Sequence, residues 1–303
     1  AISGMGMSDA GNQVAFNKLI DNTSSNDYIA ASGYLQYEPI KGLIVKFNAS
    51  RNMYFGKTRL FKPTYEIGSA KRNTMASLSE ARTQTTNDLL ELTANYDKTI
   101  AEQHNLSLLL GLSQEENKYD DLSASGSDFE NNDMSLMGHA KSNYSVGGTK
   151  TRSALRSLFG RVNYNYMMRY MIMASFRYDG SSRFAKGNKW GFFPSVSLGW
   201  NIANEPFWEN LKETVSMFKF RLSYGALGNQ NIGLYRYIPT LSYNTHVLNY
   251  PFGGRETSMG YAVTAFPSSD IKWETTVYKN IGVDVSLWNN KLELSAEAYI
   301  KNT

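Results

Sequence analysis

Cysteine is absent from the 303 residues, and with it go disulfide bridges, thiolate nucleophiles and sulfur-ligated metal sites. Histidine is scarce: His104, His139 and His246 stand in three separate segments, without the paired spacing of a histidine zinc site. No run approaches the roughly 18 apolar residues that a transmembrane helix needs, which excludes a helical span and leaves a β-barrel untouched. Basic tracts are missing too. Lys and Arg total 31 against 27 Asp and Glu, a net charge of +4 scattered along the chain, so nucleic acid is not an expected partner. The opening AISGMGMSDAGNQ has neither the charged start nor the apolar core of a signal peptide. The closing LELSAEAYIKNT stops inside an alternating pattern, and the expectation is an internal piece of a longer chain.

Aromatic residues are plentiful, 20 Tyr, 15 Phe and 5 Trp, in a chain whose mean hydropathy is −0.42. One apolar face and one wet face would reconcile the two. Period-two alternation, the mark of strands between different solvents, runs through most of the chain. Leu158, Gly160, Val162, Tyr164 and Tyr166 alternate with Phe159, Arg161, Asn163 and Asn165, and Tyr170, Ile172, Ala174, Phe176 and Tyr178 alternate with Met171, Met173, Ser175 and Arg177. The pattern predicts ten strands at 28–39, 42–55, 86–98, 104–117, 153–166, 169–179, 192–203, 216–226, 271–288 and 290–302. Many are about twice the usual five or six residues.

Their connections sort by parity. The links 40–41, 99–103, 167–168, 204–215 and 289 are short or modest, and they alternate with 56–85, 118–152, 180–191 and 227–270, mostly long and polar. An up-and-down outer-membrane barrel sorts its loops in this way. A soluble sandwich or propeller, which also alternates and also favours aromatics, stays open on these residues alone. Trp273 and Trp288 bracket one strand of fifteen residues, and at ~3.3 Å per residue and ~40° tilt that strand covers a height of ~38 Å, enough to put a tryptophan in each interfacial belt. Lys279 falls on the apolar phase, and eight residues above Leu287 place it ~20 Å up, near an interface where a lysine costs only ~0–1 kcal/mol and can snorkel. The opposite phase, with Arg161, Asn163, Asn165, Arg177, Asn201, Lys219, Arg221, Asn280, Asp284, Glu293 and Glu297, would line a wet lumen or meet a polar plug.

Catalytic motifs do not emerge. Asp179-Gly180-Ser181-Ser182 is not a nucleophile elbow, and the pairs Gly147-Gly148 and Gly253-Gly254 precede no helical pattern that would cradle phosphate. No catalytic residue and no cofactor is assigned. The acidic loop YDDLSASGSDFENND at 119–133 suggests calcium at Asp121 and Asp128, but its third, fifth and twelfth places from Asp121 are Ser123, Ser125 and Asn132, unlike a calcium loop.

Five ordered blocks carry a family resemblance: SLFGRVNYNY (157–166), ASFRYDGSSRF (174–184), KWGFFPSVSLGW (189–200), FRLSYGALGNQNIG (220–233) and IKWETTVYKNIGVDVSLWNNKLELSAEAYIKNT (271–303). Together they resemble the SusC/RagA family of TonB-linked outer-membrane proteins, densely over 153–303 and more loosely over 1–152. The resemblance implies a barrel of about 22 strands in the outer membrane of a Gram-negative bacterium, closed by a plug and energised by TonB-ExbB-ExbD. It also implies a SusD-like surface lipoprotein as lid and an oligosaccharide or peptide as cargo. No plug, TonB box or closing strand is recognised, so the chain is expected to be barrel wall throughout. Arg183, Trp190, Asn229, Gln230 and Tyr235 are the expected contacts to ligand or lid, since aromatics and amides suit sugars and peptide backbones. A passive porin or adhesin-like barrel and a soluble β-rich carbohydrate-binding module are the rival functions.

Overall fold

The computed structural model describes residues 18–66, 72–243, 249–252, 256–259 and 261–303; His246 and Gly253-Gly254 lie outside the described residues. Ten strands form one sheet: β1 (Asp21–Ile40), β2 (Leu43–Lys62), β3 (Ser77–Ile100), β4 (His104–Ser127), β5 (Ser142–Tyr166), β6 (Tyr170–Ser181), β7 (Trp190–Asn201), β8 (Val215–Asn229), β9 (Glu274–Leu287) and β10 (Leu292–Asn302). Their order in the sheet is their order in the chain, so each joins its neighbour without a crossover. From β5 onward the pairs are antiparallel, Leu155 against Ser181 through Val277 against Asn302, with one register shift, between Val215 and Met217 at the start of β8.

All ten predicted strands are present, but several are longer than the alternation indicates. β3 starts at Ser77, β4 runs to Ser127 and β5 starts at Ser142, so much of the expected loops 56–85 and 118–152 is strand. The connections shrink to 63–76, which holds a two-residue ribbon (Tyr65–Glu66 with Arg72–Asn73), and 128–141. The reason is chemical: stretches such as RTQTTN are polar in both phases, and such a strand pairs its backbone without showing a period.

At the opposite end the hairpins are tight and use left-handed backbone. Ala101 and Glu102 (φ 50° and 57°), Met167 and Met168 (52° and 55°) and Trp288, Asn289 and Asn290 (52°, 55° and 66°) all have positive φ. Two successive such residues are what a hairpin turn of matching twist requires. The fourth connection at this end carries two short 3-10 turns, Ile202–Asn204 and Pro206–Leu211.

The chain divides into two compact units. One comprises the described residues up to Ala31, within Arg51–Asp88 and within Asn117–Arg152. Phe61, Ala76, Leu78, Phe129 and Ala140 form its small core, with Phe61 and Phe129 edge to face at 5.5 Å. The Arg59 guanidinium lies 5.8 Å from the Phe61 ring and donates to Ser135 at 2.7 and 2.8 Å. Thr64 and Asn132 tie the two connections together, backbone N–H to Oδ1 at 2.9 Å and Nδ2 to carbonyl at 3.0 Å.

The other unit comprises Ser32–Ser50, Leu89–Glu116 and Ser153–Thr303. One of its faces leaves large apolar side chains in the open: Phe47, Leu90, Leu112, Val162, Ile172, Val196, Leu198, Leu222, Ile281, Leu294 and Ile300 are all about two-fifths exposed or more. These are the apolar phase of the sequence pattern. Two aromatic rows cross that face. Tyr166, Tyr170 and Trp200 stack side by side at 6.3 and 6.4 Å near the tight turns, and Tyr178 stacks on Trp190 at 4.8 Å, with Phe176 on Phe192 at 6.2 Å, toward the long connections. Tyr170 and Tyr178 are eight residues apart on β6, about 26 Å along the strand and, at ~40° tilt, ~20 Å in height, within the ~25 Å apolar band of an outer-membrane barrel.

Trp273 does not join the outer row. It packs at 5.2 Å from both Phe184 and Phe193, and its indole N–H donates to the Lys189 carbonyl at 2.9 Å. Trp273 precedes the first residue of β9, so strand alternation does not govern its direction. Trp288, half exposed, lies in the turn after β9. Lys279 is exposed on the apolar face, paired with Tyr224 and Ile300.

Candidate functional site

The inner face of the second unit is built from the polar phase. Arg177 on β6 donates from Nε to Asp179 at 2.8 Å and from Nη2 to Ser157 at 2.8 Å, and its guanidinium sits 5.6 Å from the Phe159 ring. Asp179 and Ser157 are buried, and a carboxylate there needs its cation because removing water from an unpaired charge is costly. Ser175 and Ser195 share a hydrogen bond at 2.8 Å. Phe159, Ser175, Arg177, Asp179 and Ser195, with Phe193 and Gly228, line a cavity of about 420 Å³.

A second polar cluster lies on β8, β9 and β10. Arg221 reaches Asp284 at 2.7 Å and Glu297 at 4.0 Å, Ser295 donates to Asp284 at 2.8 Å, and Asn280 donates to Glu297. Beside it, Asn163, Asn165, Met171, Met173, Lys219 and Arg221 border another cavity of about 420 Å³. Mixed charges and amides in such a wall suit hydrogen-bonding partners rather than one strongly charged ligand.

Above the first cavity, the connections 182–189 and 230–273 are laced together. Arg183 donates to the Ile232 carbonyl, Asn188 to the Ser269 carbonyl at 3.1 Å and Trp273 to that of Lys189. Phe184 is fully buried and packs under Trp273. Phe193 lies against Gly191 and Gly228, where any side chain would collide with its ring.

Four of the five predicted contact residues belong to this loop end. Arg183 is half-buried and committed to Ile232; Asn229 closes β8, donating to Glu274 at 2.8 Å and accepting from the Asn231 N–H at 2.9 Å. The Gln230 carbonyl accepts from the Ile232 N–H at 2.7 Å, and Tyr235 is two-fifths exposed with a positive φ of 61°. Trp190 stands apart on the apolar outer face, stacked on Tyr178. Sequence reasoning missed Phe184 and Phe193. The Phe192-Phe193 doublet was the available signal for Phe193, since it puts an aromatic into the polar phase.

The serines of the Asp179–Ser182 stretch serve the backbone. Ser181 Oγ accepts from the Arg183 N–H at 3.1 Å and Ser182 Oγ from the Ala154 N–H at 2.8 Å. Asp121 lies within β4 and Asp128 just past its end, and among the described residues no three His, Asp or Glu side chains converge.

Comparison with known proteins agrees with this architecture. Residues 7–303 match the family described as TonB dependent receptor-like, beta-barrel. The chain is 36% identical over 290 residues to TonB-dependent receptor P3 of Formosa agariphila, covering 94% of this chain and 28% of that protein. It is 39% identical over 157 residues to TonB-dependent receptor SusC of Bacteroides thetaiotaomicron, covering 50% of this chain and 15% of that protein. Among solved structures it superposes on the RagAB peptide transporter with a TM-score of 0.85 at 26% identity, over 95% of this chain and 31% of that one. The chain thus spans less than a third of the length of these relatives.

Proposed function

This chain belongs to the TonB-dependent receptor-like β-barrel family, and from that premise we propose that it supplies wall strands to a TonB-dependent importer in the outer membrane of a Gram-negative bacterium. One observation carries the reading: the second unit turns an apolar face with two aromatic rows one way and a polar, cavity-bearing face the other. A wall between lipid and an aqueous lumen needs both faces. The relatives are receptors, not enzymes, and the serines and acids described above have structural duties.

The cargo is an oligosaccharide or peptide, captured at the loop end where Arg183, Asn229, Gln230 and Tyr235 gather. A SusD-like lipoprotein covers that end, and a plug and TonB-contacting segment belong to parts of the protein that these residues do not span. The likeness to the RagAB peptide transporter supports the peptide class, and the likeness to SusC supports a receptor of the same kind. The mixed polar inner face suits the hydroxyls and amides of either.

Uptake of labelled oligosaccharides and peptides by cells carrying the full-length protein, with and without TonB, tests the proposal. Accumulation that depends on TonB is the expected result. Uptake that persists without TonB would instead support the passive-porin reading.

A further inference from the structure

The apolar outer face of the second unit is not smooth. Two open grooves follow each other down the same strands. The first, about 560 Å³, is lined by Phe47, Leu90, Leu92, Leu112, Leu158 and Tyr178, with Trp190, Gln114 and Arg156 at its loop-side end. The second, about 470 Å³, continues toward the tight turns between Leu43, Ala94, Leu108, Leu110 and Val162. The small side chains of Ala94 and Ala174 lower its floor, and the Phe176 ring lies over Gly160 at its edge. From Gln114 to Leu108 on β4 the track covers six residues, about 20 Å, the reach of a long saturated acyl chain.

The charge at its mouth selects the head group. Arg156 is exposed, level with Gly180 and Trp190 in the sheet register, and only its Nε–H is engaged, donating to Gln114 at 3.0 Å. Among the described residues its guanidinium makes no ion pair. Glu91 alternates with Leu90 and Leu92 and so belongs to the opposite phase, and Glu116, next beyond Gln114 on the outer phase, already has a partner. A cation beside a tryptophan–tyrosine stack at the edge of an apolar band is where a lipid phosphate meets a membrane protein.

We propose that this track holds one acyl chain of a phosphorylated glycolipid of the outer leaflet, with its phosphate on the free edge of Arg156. The inference rests on the membrane-wall reading above. It commits to the outer leaflet because Arg156 lies at the end of the strands that carries the long connections.

Native mass spectrometry of the full-length protein in nanodiscs tests it, with bis-phosphorylated lipid A, dephosphorylated lipid A and phosphatidylglycerol as separate probes. The wild type should retain bis-phosphorylated lipid A. Arg156→Gln should lose about fivefold of that retention, the factor carried by one interfacial cation, and Arg156→Lys should restore part of it. Ala174→Leu, which fills the track, should lower retention of both lipid A forms. Unchanged retention in Arg156→Gln, or equal retention of phosphatidylglycerol by the wild type, would overturn the proposal. Heat-modifiable gel migration of each variant reports folding. A wild-type protein that never inserts into the nanodisc would defeat the membrane-wall reading itself.

Discussion

Glu205 is buried in the turn after β7, where the Tyr170 hydroxyl and the Trp200 indole N–H, the latter at 3.0 Å, donate to its carboxylate. These hydrogen bonds, and secondarily Arg169, hold its pKa below the ordinary glutamate value against the opposing effect of burial. A depressed folded-state pKa means that the stabilisation is complete above the unfolded-state value and lost as pH falls through the folded one. Urea unfolding of wild type and Glu205→Gln should therefore differ at neutral pH, with the variant weaker, and converge below the ordinary glutamate range. Phe184 makes a second prediction. Its ring is fully buried under Trp273, so Phe184→Ala should cost about 3–5 kcal/mol in the same assay and release the 182–189 connection to protease. Neither role was legible in the sequence, because a phenylalanine or glutamate in a loop acquires its partner only when connections distant in the chain meet.

At the scale of the element, the tight turns hold strain that substitution can relieve. Met167 and Met168 both occupy left-handed backbone, which costs a residue with a Cβ about 1–2 kcal/mol. Asn-Gly in their place should stabilise the β5–β6 hairpin by about 1–2 kcal/mol in urea unfolding. Depth matters along β9. Lys279, five residues from its loop-side start, and Ile281 share the apolar face. Lys279→Leu should be nearly neutral, within ~1 kcal/mol, whereas Ile281→Lys should cost more, up to ~2–4 kcal/mol if it lies near the midplane. Strand existence was legible because β5 to β10 separate two solvents and so alternate. The extensions of β3, β4 and β5 were not, since residues such as 82–86 are polar in both phases. Trp273 was misplaced because it precedes the regular strand and answers to Phe184 and Phe193 instead.

At the scale of the whole molecule, what matters is which solvent each face meets. The apolar phase named from the sequence is the exposed apolar face of the second unit, so the wall was readable before any contact was known. The candidate site was readable only in part: Arg183, Asn229, Gln230 and Tyr235 lie at one end, but Trp190, chosen as a loop aromatic, stacks on Tyr178 across the outer face. The absence of cysteine from these residues makes the faces directly measurable. Single cysteines placed in turn at residues 171–176 of the full-length protein, in an otherwise cysteine-free background, can be challenged in the membrane with a water-soluble and a lipid-soluble maleimide. The account predicts strict alternation: Ile172, Ala174 and Phe176 positions take the lipid-soluble reagent, and Met171, Met173 and Ser175 positions take the water-soluble one. Equal labelling of all six by the water-soluble reagent would contradict it.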